Sequence, residues 1–124
     1  MKPIGKTLRL EKIDFYTTHL SLINCVLPVK LKPKEIEVLS HFMAFEHDPE
    51  VARFGSDNRK IVRNRLNISH GGLSNYINSL REKNFLTGKG SAVEVLPLLR
   101  PDNNVQTYMF KLINIDGEGH SKTD

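Results

Sequence analysis

The sequence predicts a single α+β domain, mostly helical, in which a core of three helices precedes a β-hairpin. Three observations predict it. Apolar residues recur at helical spacing between positions 36 and 80. Only Asn67-Ile68-Ser69 separates the last two of these helical series. After Lys83 the apolar period changes from that of a helix to that of a strand. A chain of 124 residues, 39% of them hydrophobic, is long enough to bury one core without a metal or a disulfide.

Residues 6–13 set Leu8 and Leu10 against Arg9 and Glu11 and are expected to form a short strand. In residues 15–27, Leu20, Ile23 and Leu27 share one helical face, and Pro28 ends the helix. These elements form an N-terminal strand and helix extension, 1–30, packing on the domain at 31–115 or on a partner. Pro33 has the preset φ of a first helical position, and Glu35 suits the positive end of that helix. Ile36, Leu39, Phe42 and Met43 follow on one face. His47-Asp48-Pro49-Glu50 breaks the helix, and residues 51–55 are expected as a loop or one short turn. Ser56 is the expected N-cap of a helix over 57–66 that buries Ile61, Val62 and Leu66.

Leu73, Ile77 and Leu80 define the next helix, 70–83, and so short a turn before it makes the two helices cross steeply. Val93 and Val95 alternate with Ala92 and Glu94, and Tyr108, Phe110 and Leu112 alternate with Met109, Lys111 and Ile113. Two antiparallel strands are therefore expected, joined across 98–107, where Pro101-Asp102-Asn103-Asn104 is turn chemistry. The tail, 116–124, holds Gly117, Gly119 and Ser121 without an apolar anchor and is expected to be mobile.

With 18 Lys+Arg against 14 Asp+Glu, the net charge of +4 decides little by itself. Its distribution says more. Residues 53–83 carry seven basic side chains (Arg53, Arg59, Lys60, Arg63, Arg65, Arg81, Lys83) and two acids (Asp57, Glu82), a net of +5, so the remainder sums to −1. Cys25 is alone, which excludes an internal disulfide and a Cys-rich zinc site, and its apolar neighbours predict a buried packing residue rather than a nucleophile. His41 and His47 flank Glu46 and Asp48 without a metal-ligand spacing. Gly88-Lys89-Gly90-Ser91 lacks the Gly-x-x-x-x-Gly-Lys-Ser/Thr frame of a phosphate loop and reads as a flexible entry to the hairpin. Tyr76 and Phe85 are expected to pack the hairpin on the helices. No catalytic residue, metal or cofactor is expected, and the chain is not expected to be an enzyme. The start of the sequence lacks an apolar leader core and no apolar run reaches membrane-spanning length, so a cytoplasmic protein with no membrane partner is expected.

One segment carries the functional signal: an apolar helix with Arg59, Lys60 and Arg63, then Leu66-x-Ile68-Ser69, then Leu73-Ser74 with Ile77 and Leu80, closed by Lys83-Asn84-Phe85-Leu86. Ile68 is placed to bury the turn and Ser69 to cap the second helix. The anchoring of Leu73, Ile77 and Leu80 leaves His70, Gly71, Ser74, Asn75, Asn78 and Arg81 facing outward. Gly71-Gly72 costs roughly 1 kcal/mol per residue of helix stability relative to alanine. Either close approach of an outside backbone or close packing on the neighbouring helix accounts for it.

This pattern, over residues 31–113, resembles the winged helix-turn-helix superfamily, MarR-like regulators in particular. The resemblance implies a double-stranded DNA-binding protein, most simply a transcriptional regulator, with helix 70–83 in the major groove. His70, Gly71, Ser74, Asn75 and Asn78 would then reach base edges. Arg59, Lys60, Arg63, Ser69 and Arg81 would hold phosphates, and the hairpin tip at 98–107 would be the wing, with Arg100 on it and Lys89 at its approach. Relatives commonly carry Gly at the place of Asn84, and Ser or Thr at that of Lys32; the first departure is mild, the second costs about 1 kcal/mol of capping. The helix at 15–27 either extends the domain or supplies a contact for a homodimer, as added helices do in such proteins. The alternative use of the fold is as a protein-interaction module in a larger assembly, such as a phage-type, replication or DNA-packaging complex, in which case the compartment is the host cytoplasm rather than the nucleoid.

Overall fold

Pro33 opens the central helix of the domain, and the other elements assemble on its apolar face. The computed structural model describes residues 5–116. Helix α1 spans Lys12–Ile23, α2 Pro33–Met43, α3 Ser56–Leu66 and α4 His70–Glu82. An antiparallel hairpin follows, β1 Leu86–Thr87 paired with β2 Glu94–Val95 in the register Leu86 to Val95 and Thr87 to Glu94. The protein is thus α+β and mostly helical. No helix among the described residues is long and apolar enough to cross a membrane.

Helix α2 buries Ile36, Val38, Leu39, Phe42 and Met43 and packs on α1, α3 and α4. Phe42 stacks on Phe54, with ring centroids 4.5 Å apart. Val62 from α3, Leu73, Ile77 and Leu80 from α4, Val95 from β2 and Leu99 beyond the hairpin complete one continuous core. From α1 come Leu20 and His19, both buried. The N-terminal helix therefore extends its own domain by packing on α2. Fully burying one such aliphatic side chain is worth roughly 1.5–3 kcal/mol.

A charged group lies inside this apolar assembly. Glu35, in the first turn of α2, is 1% exposed. One carboxylate oxygen, Oε1, accepts from the Lys32 backbone N–H at 2.7 Å and from Lys83 Nζ at 2.6 Å; the other, Oε2, accepts from the Ser79 hydroxyl at 2.5 Å. Lys83 also donates to the Lys30 carbonyl at 3.0 Å. Burial pushes the Glu35 carboxyl up, but the bonds from Lys83, Ser79 and Lys32 outweigh it and hold the group below its ordinary value of 4.5. The Lys32 cap is therefore replaced in function: no side chain caps α2 at Lys32, and Glu35 satisfies the orphan N–H from inside the helix.

The turn between α3 and α4 is made by Asn67 in the left-handed region, φ 54°, with Ile68 N–H donating to the Arg63 carbonyl at 3.1 Å. Asn84, φ 63°, ends α4 in the same way, and Phe85 N–H returns to the Leu80 carbonyl at 2.9 Å. Ile68, expected to bury this turn, is half-buried.

Other expectations are corrected. Residues 5–11 form no strand; α1 begins at Lys12, since the alternating Leu8 and Leu10 find no ladder partner. Cys25 is exposed, because the chain tightens into a 3-10 turn at Asn24–Val26 that rotates it away from the core. Ser56 is the first residue of α3 rather than its cap, a place taken by Gly55 without a side-chain bond. Ile61 is 39% exposed, since the narrow inward stripe of α3 is made by Asn58 and Val62, with Leu66 half-buried.

The largest correction concerns the hairpin. The segment holding Val93 and Val95 pairs with Leu86–Thr87, not with 108–113, and the loop between them is 88–93. Gly88, φ +83°, makes this short closure possible: a Cβ there would lie 2.3 Å from the Ala92 carbonyl oxygen. The 98–107 segment is no hairpin tip. A 3-10 turn at Pro97–Leu99 carries Leu99 into the core, where its carbonyl accepts from His19 Nε2 at 2.9 Å. The tail expected to be mobile, with Gly117, Gly119 and Ser121, lies from residue 117 onward outside the described residues.

Because the folded-state carboxyl of Glu35 is held below 4.5, its contribution is full above that value and fades as the pH falls through the lowered one. Glu35→Gln is expected to cost about 2–3 kcal/mol at neutral pH. In urea titrations at a series of pH values, the gap between variant and wild type should shrink steadily below pH 4.5. A gap independent of pH would contradict this assignment.

Candidate nucleic-acid interface

Helix α4 has two chemically distinct sides. Leu73, Ile77 and Leu80 are at most 2% exposed and face the core. On the other side His70, Gly71, Asn75, Asn78 and Arg81 are exposed and Ser74 is half-buried. The side chains of Ser74, Asn75 and Asn78 bond no other described residue. Three short polar side chains that keep their donors and acceptors for an outside partner thus lie on one helical face.

Ser69 sets the start of that face. Its hydroxyl accepts from the Gly72 N–H at 3.0 Å, capping α4 as its spacing predicts. The hydroxyl proton remains available to an external acceptor. A Cβ at Gly71 would meet nothing within 4 Å, and one at Gly72 would meet only the Ser69 hydroxyl, at 3.1 Å. Packing against the neighbouring helix therefore does not account for Gly71-Gly72. At Gly71 the helix surface is bare backbone open to solvent.

Beside this helix start lies a cleft of about 550 Å³ lined by Phe54, Ser56, Asp57, Arg59, Lys60, Arg63 and His70. The turn at Asn67 brings α3 and α4 together so that the three basic residues of α3 meet the first residue of α4. Arg59 is held at the cleft by its Nε, which donates to the Phe54 carbonyl at 2.6 Å, leaving its terminal nitrogens without a described partner. Three cations against Asp57 make the cleft electropositive. Phe54, Ser56 and Asp57 were not among the sequence candidates; Ser56, at the head of a helix with basic residues three and four positions on, is the signal that could have found them.

The remaining candidates divide. Lys89 is exposed in the 88–93 loop, so it occupies the hairpin tip itself rather than its approach. Arg81 is exposed toward the end of α4. Arg100 is not with them: it lines a separate cleft of about 310 Å³ with Lys12, Tyr16, Phe45 and His47, on the α1 side of the domain. Two of the seven basic residues in 53–83 are paired with carboxylates inside the fold. Arg53 bonds Glu94 at 2.8 Å and the carbonyls of Phe42 and Phe45 at 2.9 and 2.6 Å, tying the end of α2 to the hairpin. Lys83 neutralises Glu35. The positive face is accordingly narrower than the sequence indicates, and it is centred on α3.

Gly71→Ala is expected to stabilise the fold by about 0.5–1 kcal/mol, since alanine is the better helix former and the site has room. Thermal unfolding should show a rise of about 2–5 °C. A fall would mean that position 71 is packed.

No family model, no curated protein and no solved structure matches this chain.

Proposed function

We propose that this protein binds double-stranded DNA as a winged helix-turn-helix domain and acts as a transcriptional regulator without catalytic activity. In this reading α4 enters the major groove, α3 lies along the phosphate backbone, and the 88–93 loop, with Lys89, serves as the wing. The reading is carried by one observation: the solvent-open face of α4, with Asn75 and Asn78 unbonded, adjoins the basic cleft of Arg59, Lys60 and Arg63. Asn amides suit the N6/N7 edge of adenine, and His70 and Ser74 reach base edges or phosphates from the first turns of the helix. The bare backbone at Gly71 admits close approach of a sugar-phosphate strand. Arg59, Lys60, Arg63, Ser69 and Arg81 supply phosphate contacts; Arg100, which lines a separate cleft, drops out of the set.

A second reading, a protein-interaction module in an assembly, is favoured by the exposed apolar residues Met109, Leu112 and Ile115, which no DNA contact requires.

Selection from random duplexes followed by titration at several salt concentrations tests the first reading. Binding should weaken steeply with salt, and Asn75→Ala or Asn78→Ala should each reduce discrimination at one base pair by about 1–3 kcal/mol. Arg63→Ala should weaken all duplexes alike and lower the salt slope by about 1. Gly71→Ala should lower affinity while raising thermal stability. Failure of any duplex to bind, or indifference of binding to Asn75, Asn78 and Arg63, rejects the proposal and leaves the assembly reading.

A further inference from the structure

One imidazole closes a loop at both of its ends. His19, buried on α1, donates from Nε2 to the Leu99 carbonyl at 2.9 Å, and its Nδ1 is bonded to the Tyr108 hydroxyl. The two rings lie with centroids 5.8 Å apart. Between these anchors the loop bonds only itself: the Val105 N–H donates to the Asn103 side chain, and the Gln106 amide donates to the Asn103 and Val105 carbonyls. Among the described residues, no hydrogen bond other than that of Tyr108 ties residues 101–108 to the rest of the domain.

A carbonyl can only accept, so the bond to Leu99 fixes the hydrogen of the neutral ring on Nε2 and leaves Nδ1 as the acceptor for the Tyr108 O–H. A proton taken up at Nδ1 sets a donor against a donor and places a charge where little water reaches. Both effects oppose the closed loop. Burial, the largest influence, already holds the ring below its ordinary value of 6.5, against the upward pull of the Leu99 carbonyl and of Asp102. Asp102, in the loop, is the charge that acts on the ring, and no charge on α1 or α2 does. The titratable group one turn earlier on α1 is the phenol of Tyr16.

We propose that His19 is an acid-operated latch: neutral, it closes the 99–108 loop onto α1, and protonated, it releases the Tyr108 end. The loop carries Arg100, Pro101 and Asn104 into the wall of the cleft of about 310 Å³, so release opens that cleft on one side while the lining from α1 and from the end of α2 stays in place. An opened loop returns the ring to water and to its ordinary value. Closure is therefore fully favoured above pH 6.5, weakens as the pH falls below it, and weakens no further below the lowered value.

Nitrogen-15 and proton NMR of the full chain, from about pH 8 down to about pH 4, tests this. At the upper end the ring nitrogens of His19 should show the hydrogen on Nε2. As the pH falls, the backbone order of residues 101–107, read from heteronuclear relaxation, should drop with the same midpoint as the titration of His19. His19→Gln supplies an amide donor and a carbonyl acceptor that do not titrate, and its loop should stay ordered over the whole range. Tyr108→Phe should leave the loop loose at every pH and move the His19 midpoint up toward 6.5; it serves in place of a glutamine variant that fails to fold. A loop whose order ignores the His19 titration, a hydrogen found on Nδ1 at neutral pH, or a His19→Gln loop that loosens in acid as the wild type does overturns the proposal. No nucleic acid enters the measurement, so its outcome is independent of the DNA reading.

Discussion

The carboxylate of Glu35 is the constraint around which the helical part of this fold is arranged. It sits in the first turn of α2, yet its partners are the Lys32 backbone, Ser79 and Lys83, so one group fixes the entry to α2 and the last turn of α4 together. Apolar packing of Leu73, Ile77 and Leu80 gives α4 its inward side but tolerates sliding and rotation. A buried charge tolerates neither, because a small displacement leaves it unpaired in a medium of low polarity. The orientation of the outward face of α4 is thereby set from the far side of the helix.

Arg53 does the corresponding task for the hairpin. Its guanidinium gathers the carbonyls at the end of α2 and the Glu94 carboxylate of β2. These carbonyls are orphans of the helix end, and a cation is their natural partner. Both ends of α2 are therefore closed by charged side chains that reach a different element, which makes α2 the common reference for α4 and for the loop at 88–93.

The helices were largely legible in the sequence because their signals are local. Pro33 at the start of α2, Ser69 capping α4, Asn84 in the left-handed region and the Leu73-Ile77-Leu80 stripe each depend on residues within one or two turns. The hairpin was not legible. Val93 and Val95 carry a strand pattern but nothing in it specifies a partner, and the choice of Leu86–Thr87 rests on Gly88 and Gly90 adopting positive φ, which shortens the loop. With the hairpin moved, Arg100 leaves the candidate site and Lys89 becomes its tip. The site itself was legible in part: Arg59, Lys60, Arg63 and His70 converge on one cleft, whereas the engagement of Arg53 and Lys83 within the fold depends on long-range contacts that a count of charges does not contain.

Gly88 and Gly71 differ in what a descendant of this sequence can do with them. At Gly88 any side chain collides with the Ala92 carbonyl, so a lineage that keeps the turn keeps glycine whatever the protein binds. At Gly71 the space is empty, and alanine would make a sturdier helix. Nothing in the described fold opposes the exchange. If the proposed duplex binding is what holds glycine there, drift at position 71 beside constancy at position 88 would mark a branch that has retained the architecture and lost that partner.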